Sequence, residues 1–213
     1  MVTILALLLG LVQAGASTSL NGVIDGVNRT YARMKDFSAD FVQVEQNSLN
    51  RRREGAGHLY LKRPRMARYE YKVPEEQLWV SDGKVFNRYI PADKQVQQGQ
   101  VTDGMDDRIP LMFLIGRSNL RGEFRSFRQL TTKPVVEGDL VVQMVPSRKS
   151  DLTELTMEVD PASFLIRRLV LVHDDGTKME LLFSNIRVDS GLKDALFDFQ
   201  PPAGVQVLKG NGQ

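Results

Sequence analysis

Successive short runs of the chain alternate apolar and polar side chains with a period of two, and tight-turn residues separate them. This pattern confines the fold to a sheet whose strands are largely sequence neighbours. In residues 58–62, Leu59 and Leu61 fall on one face, with His58, Tyr60 and Lys62 on the other. Residues 66–71 alternate again, with Ala67, Tyr69 and Tyr71 opposite Met66, Arg68 and Glu70. Leu78-Trp79-Val80 leads into Ser81-Asp82-Gly83-Lys84, and residues 85–90 return. An Asp-Gly pair between apolar runs marks a tight hairpin, because such a turn needs a positive φ. Further strands are predicted at 41–44, 140–145, 155–159, 166–173 and 178–188, with turns at Gly138 and Asp174-Asp175-Gly176. The polar stretch 46–54 reads as an exposed hairpin loop with Arg51, Arg52 and Arg53 at its solvated tip.

Helices interrupt the strands. Leu20, Val23, Ile24, Val27, Tyr31 and Met34 recur at three- and four-residue spacing, which predicts an amphipathic helix capped by Ser17, Thr18 or Ser19. Gly22 and Gly26 weaken it by about 1 kcal/mol each, so it needs an apolar surface beneath it. Residues 109–117 are apolar on every side, with Pro110 near the start and Gly116 near the end, the usual asymmetry of a short helix. A short turn is expected at 119–124 and a brief helix at 192–196. No linker rich in Pro, Gly or Ser divides the chain. The expectation is one curled antiparallel sheet with helices on one face, in a single domain over residues 17–213.

Residues 4–12 carry no charge but are too few to cross a bilayer, which takes about twenty. Ala14 and Ala16 follow them, so residues 1–16 read as a signal peptide cleaved after Ala16. Met1-Val2-Thr3 supplies no Lys or Arg, a departure from the usual positive start.

Charge and reactive-residue content exclude several chemistries. Lys and Arg total 28 against 26 Asp and Glu, a net charge of +2 and no footprint for nucleic acid. Cysteine is absent, which removes disulfides, thiolate metal sites, cysteine nucleophiles and lipid attachment through an N-terminal Cys. Of the two histidines, His58 and His173 sit on separate predicted strands. No nucleophile, metal or phosphate-loop motif is present. Asp106-Asp107 and Asp174-Asp175 read as solvated turn carboxylates. Without a recognisable nucleophile–base pair an enzyme is the minor hypothesis, and the expectation is no enzyme activity, no catalytic residues, no metal and no cofactor. Helices over a curled sheet enclose either a packed core or an apolar pocket, and the patterning fits both.

Several segments then resemble, in order, the periplasmic outer-membrane lipoprotein carrier family, the LolA-type proteins. Phe37-Ser38-Ala39-Asp40-Phe41-Val42-Gln43 is similar to its opening strand. Gly57-His58-Leu59-Tyr60-Leu61-Lys62-Arg63-Pro64 is similar to its Lys-Arg-Pro strand, and Val80-Ser81-Asp82-Gly83-Lys84 to its hairpin. Residues 111–117 resemble its apolar helix. Phe197-Asp198-Phe199-Gln200-Pro201-Pro202-Ala203-Gly204-Val205 resembles its ending. Where the family usually carries Phe and Trp after that Pro, this chain has Ala67 and Tyr69.

The resemblance implies an α+β, mainly β fold: a half-open antiparallel β-barrel with a helical lid over an apolar cavity. It implies a periplasmic, monomeric carrier. Its partners would be acylated lipoproteins, an inner-membrane ABC transporter and an outer-membrane lipoprotein receptor. The related receptor is itself a lipoprotein and needs a Cys, so the soluble carrier is the closer match. A related binder of another lipid or glycolipid is the alternative, and a secreted hydrolase the more distant one. Arg63 is implied to hold the lid closed. It shares a strand face with Leu59 and Leu61, which makes these two, with Tyr69, Tyr71, Met112, Phe113 and Ile115, the candidates to line the cavity. The acceptors for Arg63 are expected among the last carbonyls of residues 111–116, because the end of a helix leaves them without intrahelical partners.

Overall fold

The structure, a computed structural model, describes residues 19–101 and 119–210. The signal-peptide reading, the apolar segment 109–117 and Asp106-Asp107 lie outside the described residues.

Helix α1 spans Leu20–Arg33, and the Ser19 hydroxyl accepts from the Gly22 N–H at 3.2 Å, satisfying one free donor of the first turn. Val23, Ile24, Val27 and Tyr31 are fully buried on one face. The Tyr31 hydroxyl accepts from the Ile166 N–H at 3.0 Å, and burial pushes its pKa far up. Gly26 has a reason that the helix pattern hides. A Cβ there would meet a ring carbon of Phe164 at 2.3 Å, so the glycine admits the ring. Gly26→Ala should therefore destabilise the protein by about 1–3 kcal/mol, because overpacking outweighs the gain in helix propensity. Thermal unfolding tests this; an unchanged or raised melting temperature would refute the close-packing account.

Strands β1 (Asp36–Gln46), β2 (Arg52–Lys62), β3 (Met66–Val73), β4 (Gln77–Ser81), β5 (Val85–Ile90) and β6 (Gln95–Gln100) form one antiparallel meander. After the short helix α2 (Leu120–Glu123), strands β7 (Phe124–Leu130), β8 (Leu140–Pro146), β9 (Leu152–Val159), β10 (Ile166–His173) and β11 (Lys178–Val188) form a second. Antiparallel pairing of β1 with β11, from Phe37 opposite Val188 to Gln46 opposite Lys178, joins the two. Last, β12 (Gln206–Lys209) adds parallel to β6. The result is one twelve-stranded sheet running from β12 at one edge to β7 at the other. The two edges do not pair, so the curled sheet stays open, as a mainly β, half-open architecture requires.

The structure corrects the expected loop at 46–54. Strand pairing continues to Gln46 opposite Arg52, and only residues 47–51 turn. The Asn47 side chain accepts from the Leu49 and Arg51 N–H groups, and Asn50 takes the left-handed conformation, so the turn is tight. The Asp82-Gly83 turn forms as read: Asp82 Oδ1 accepts from the Lys84 and Val85 N–H groups, and Gly83 has φ +94°. The alternation of the sequence does not mark strands β6, β7 and β12. The first two are short of regular alternation, and β12 is exposed along its whole length.

Helix α1 fills the concave side, where its apolar face joins Phe37, Phe41, Leu59 and Leu61 and the inner residues of β8–β11 in one core cluster. Beyond β11, the 3₁₀ turn Asp194–Phe197 and the tail that follows cross the opposite, convex face. There Arg68 donates to the Leu196 carbonyl at 3.1 Å, and Phe199 packs on Tyr89 with ring centroids 5.9 Å apart. Phe197, Val80 and Val96 are buried on that side.

Candidate functional site

Strand register sorts the concave face into rows. One runs Phe37, Leu61, Ala67, Ser81, Phe86 across β1 to β5; the next runs Ala39, Leu59, Tyr69, Trp79, Arg88, Gln97 across β1 to β6. Leu59 and Leu61 are fully buried, Tyr69 nearly so, and Tyr71 is half-buried in a third row with Phe41. Phe41 meets both tyrosines edge-to-face, at 5.7 Å from Tyr69 and 5.0 Å from Tyr71. The Tyr71 hydroxyl donates to Gln43 at 2.7 Å, and burial pushes its pKa up to about 12. The structure thus brings Leu59, Leu61, Tyr69 and Tyr71 onto one apolar, aromatic surface. Met112, Phe113 and Ile115 lie outside the described residues.

Arg63 follows directly on β2, where the chain turns. Its Nε donates to the Met34 carbonyl at 2.7 Å and its Nη2 to the Tyr31 carbonyl at 2.8 Å. Both acceptors belong to the C-terminal end of α1; the segment 111–116, where the sequence placed acceptors for Arg63, lies outside the described residues. The physical reasoning transfers unchanged: carbonyls at a helix end lack intrahelical donors and carry partial negative charge, which a guanidinium complements.

The residue before it does the opposite job. Lys62 points to the convex side, where its Nζ donates to the Leu192 carbonyl and to Asp194, both at 2.5 Å. Adjacent residues at a strand end project to opposite faces. The pair Lys62-Arg63 therefore holds the tail on one side and α1 on the other. Asp36, one strand away, completes this junction. It is 3% exposed, and its carboxylate accepts from the Ser190 N–H and hydroxyl and from the Gly191 and Leu192 N–H groups. Burial pushes its pKa up, but the donors of Ser190, Leu192 and Gly191 outweigh that and hold it below the ordinary carboxylate range. Sequence reading missed Lys62 and Asp36 because the tail that they hold is far away in the chain.

The structure does not bring the two histidines together. His58 pairs with Asp40 on the convex face, while His173 ends β10, with β1 and β11 between their strands. No cluster of metal-ligating side chains occurs among the described residues, and none of their helices is long and apolar enough to cross a membrane.

Comparison with known proteins agrees with the fold and extends it. Residues 32–200 match the family described as outer membrane lipoprotein carrier protein LolA. An outer-membrane lipoprotein carrier protein of Chromobacterium violaceum is 29% identical over 199 residues, covering 93% of this chain and 90% of the relative. One of Haemophilus influenzae is 30% identical over 177 residues, covering 83% of this chain and 82% of the relative. Among solved structures, an uncharacterized conserved protein of Thermus thermophilus superposes with a TM-score of 0.57 at 15% identity, covering 89% of this chain and 98% of its own. MucB superposes with a TM-score of 0.50 at 14% identity, covering 91% of this chain and 66% of its own. At such identities these two likenesses concern the fold alone.

Proposed function

This chain belongs to the outer membrane lipoprotein carrier protein LolA family, and from that premise we propose that it is a periplasmic carrier of acylated lipoproteins. The observation that carries the reading is the concave surface of Leu59, Leu61, Tyr69 and Tyr71 beneath a helix whose end is tethered by Arg63. A carrier needs an apolar surface that can be covered and uncovered, and no reacting groups. Each methylene moved from water to such a surface contributes about 0.8 kcal/mol, so acyl chains supply their own driving force.

In this reading the carrier accepts cargo from an inner-membrane ABC transporter, crosses the periplasm as a monomer and delivers to an outer-membrane lipoprotein receptor. Residues 1–16 direct export. The tether from Arg63 to Tyr31 and Met34 favours the covered state. Loading has to break it, and its re-formation favours release. The apolar surface takes the acyl chains out of water in transit, and binding alone accounts for the transfer without a covalent bond being made or broken.

Native mass spectrometry of the protein recovered from a cell envelope tests the reading. The expected result is a bound mass equal to a lipoprotein with its acyl chains. Recovery with a free lipid or glycolipid instead would replace this proposal with the related lipid-binder reading.

A further inference from the structure

Beyond the apolar core of the concave face, one row ends in polar groups that the carrier reading does not use. Trp79 on β4 lies directly opposite Arg88 on β5, and Arg88 lies opposite Gln97 on β6. The Arg88 guanidinium carbon sits 5.0 Å from the Trp79 ring centroid, a cation–π arrangement, and its Nη2 donates to Gln77 at 3.1 Å. Among the described residues the Trp79 Nε1–H and the Arg88 Nε–H are buried and meet no acceptor. Arg88 has no carboxylate partner among them either, and its charge is felt at Tyr71 in the neighbouring row. On the other side of Trp79 the same row continues through Tyr69 to Leu59 and Ala39, which are buried and apolar.

We propose that Trp79 and Arg88 form a recognition subsite for an acyl carbonyl oxygen, seated where the apolar row turns polar. This rests on the acyl-carrier reading and adds the group recognised at the end of the chain. The chemistry follows from the donors. An indole N–H and a guanidinium N–H can only donate, so the missing partner is an acceptor. A buried donor left without an acceptor is not compensated for its lost water, which makes the pair incomplete without a ligand oxygen. The guanidinium favours an oxygen bearing negative charge, full in a carboxylate and partial in an ester or amide carbonyl. The hydrocarbon attached to that oxygen would then run back along Tyr69 and Leu59. An esterified acyl group of a lipoprotein and a free fatty acid present this same oxygen and are the two sources to be separated.

The test measures binding of dodecanoic acid, methyl dodecanoate and dodecane to the full chain by calorimetry. Trp79 is the sole tryptophan, so its fluorescence reports independently on the subsite. The wild type should bind the acid or the ester about tenfold more tightly than dodecane, the worth of a charge-assisted hydrogen bond. In Arg88→Met that preference should fall to about twofold or less while dodecane affinity holds within about threefold, because Met keeps the apolar bulk and loses the donors. Trp79→Phe keeps an aromatic ring for Arg88 and removes the N–H together with part of the ring's bulk, so it should lose part of the preference for the oxygen-bearing ligands over dodecane. A preference for the acid over the ester assigns the subsite to free fatty acids, and equal binding of the two assigns it to esterified acyl groups. Binding of all three ligands without discrimination, or a preference surviving in Arg88→Met, overturns the subsite and leaves the carrier reading standing. Failure of the wild type to bind any of the three overturns the carrier reading itself.

Discussion

Asp36→Ala should lower the melting temperature by about 6–12 °C, corresponding to a loss of about 3 kcal/mol at this chain length. The carboxylate is nearly inaccessible and takes hydrogen bonds from Ser190, Gly191 and Leu192, so its removal strands donors as well as losing a charged acceptor. The consequence extends along the tail. The Asp36 carboxylate holds residues 190–192, with Lys62 on the Leu192 carbonyl and the Lys35 N–H on Asp189 beside it, and beyond them Phe197 covers the convex face of the sheet. Protease cleavage within residues 189–209 should accelerate in the variant. A melting temperature within a degree or two of wild type would show that Lys62 and the convex apolar contacts hold the tail unaided.

The pH dependence has a definite sign. The folded-state pKa of Asp36 lies below the ordinary 3.8, so the unfolded chain takes up this proton at a higher pH than the folded chain does. Its contribution is complete above the ordinary value and is lost as pH falls through the lowered folded one. The gap in stability between wild type and Asp36→Ala should therefore be constant near neutrality and close in acid below about 3.8. A gap that persisted unchanged in stronger acid would mean that the neutral carboxyl holds the tail as well as the carboxylate does.

Arg63→Leu should raise the affinity for acylated cargo by about tenfold while slowing hand-off to an acceptor. Two hydrogen bonds from the guanidinium tie the carbonyls of Tyr31 and Met34 down over the apolar face. In the proposed cycle loading must break both, so removing them makes the open state cheaper and the loaded state deeper. Apparent affinity scales with the open fraction, whereas release depends on the same bonds re-forming. Equilibrium binding and transfer rate must be measured separately, since the proposal moves them in opposite directions. Weaker binding in the variant would mean that Arg63 touches cargo. Unchanged binding with a lower melting temperature would reduce Arg63 to a cap on α1.

The local readings that succeeded concern which side of an element is buried. The alternation of Leu59 and Leu61 with His58 and Tyr60 places the two leucines in the core and leaves the other two exposed or half-exposed. Such a pattern is written in the strand itself, because side chains on a strand have only two directions to point. Trp79 and Arg88 escaped notice for a related reason. Val80 is buried as deeply on the convex face as Trp79's neighbours are on the concave one, so apolarity alone does not say which face of β4 is the inner one. The turn does carry a usable signal once its centre is placed at Gly83-Lys84: Trp79 and Arg88 are equally far from that centre, which puts them opposite each other.

The amino-acid sequence by itself determined the strand-rich class, the tight hairpin at Asp82-Gly83, the amphipathic helix α1, the inward face of β2 and the motifs by which the family is identified. These depend on periodicity and turn chemistry within a few residues. Tertiary structure alone decided that β1 pairs with β11, that the tail crosses the convex face to add β12, and that Arg63 finds its acceptors on α1. Each of these joins groups far apart in the chain, and any exposed strand edge or helix end offers the same backbone donors and acceptors. Which of them meet is settled only when packing of the apolar faces brings one particular pair within reach.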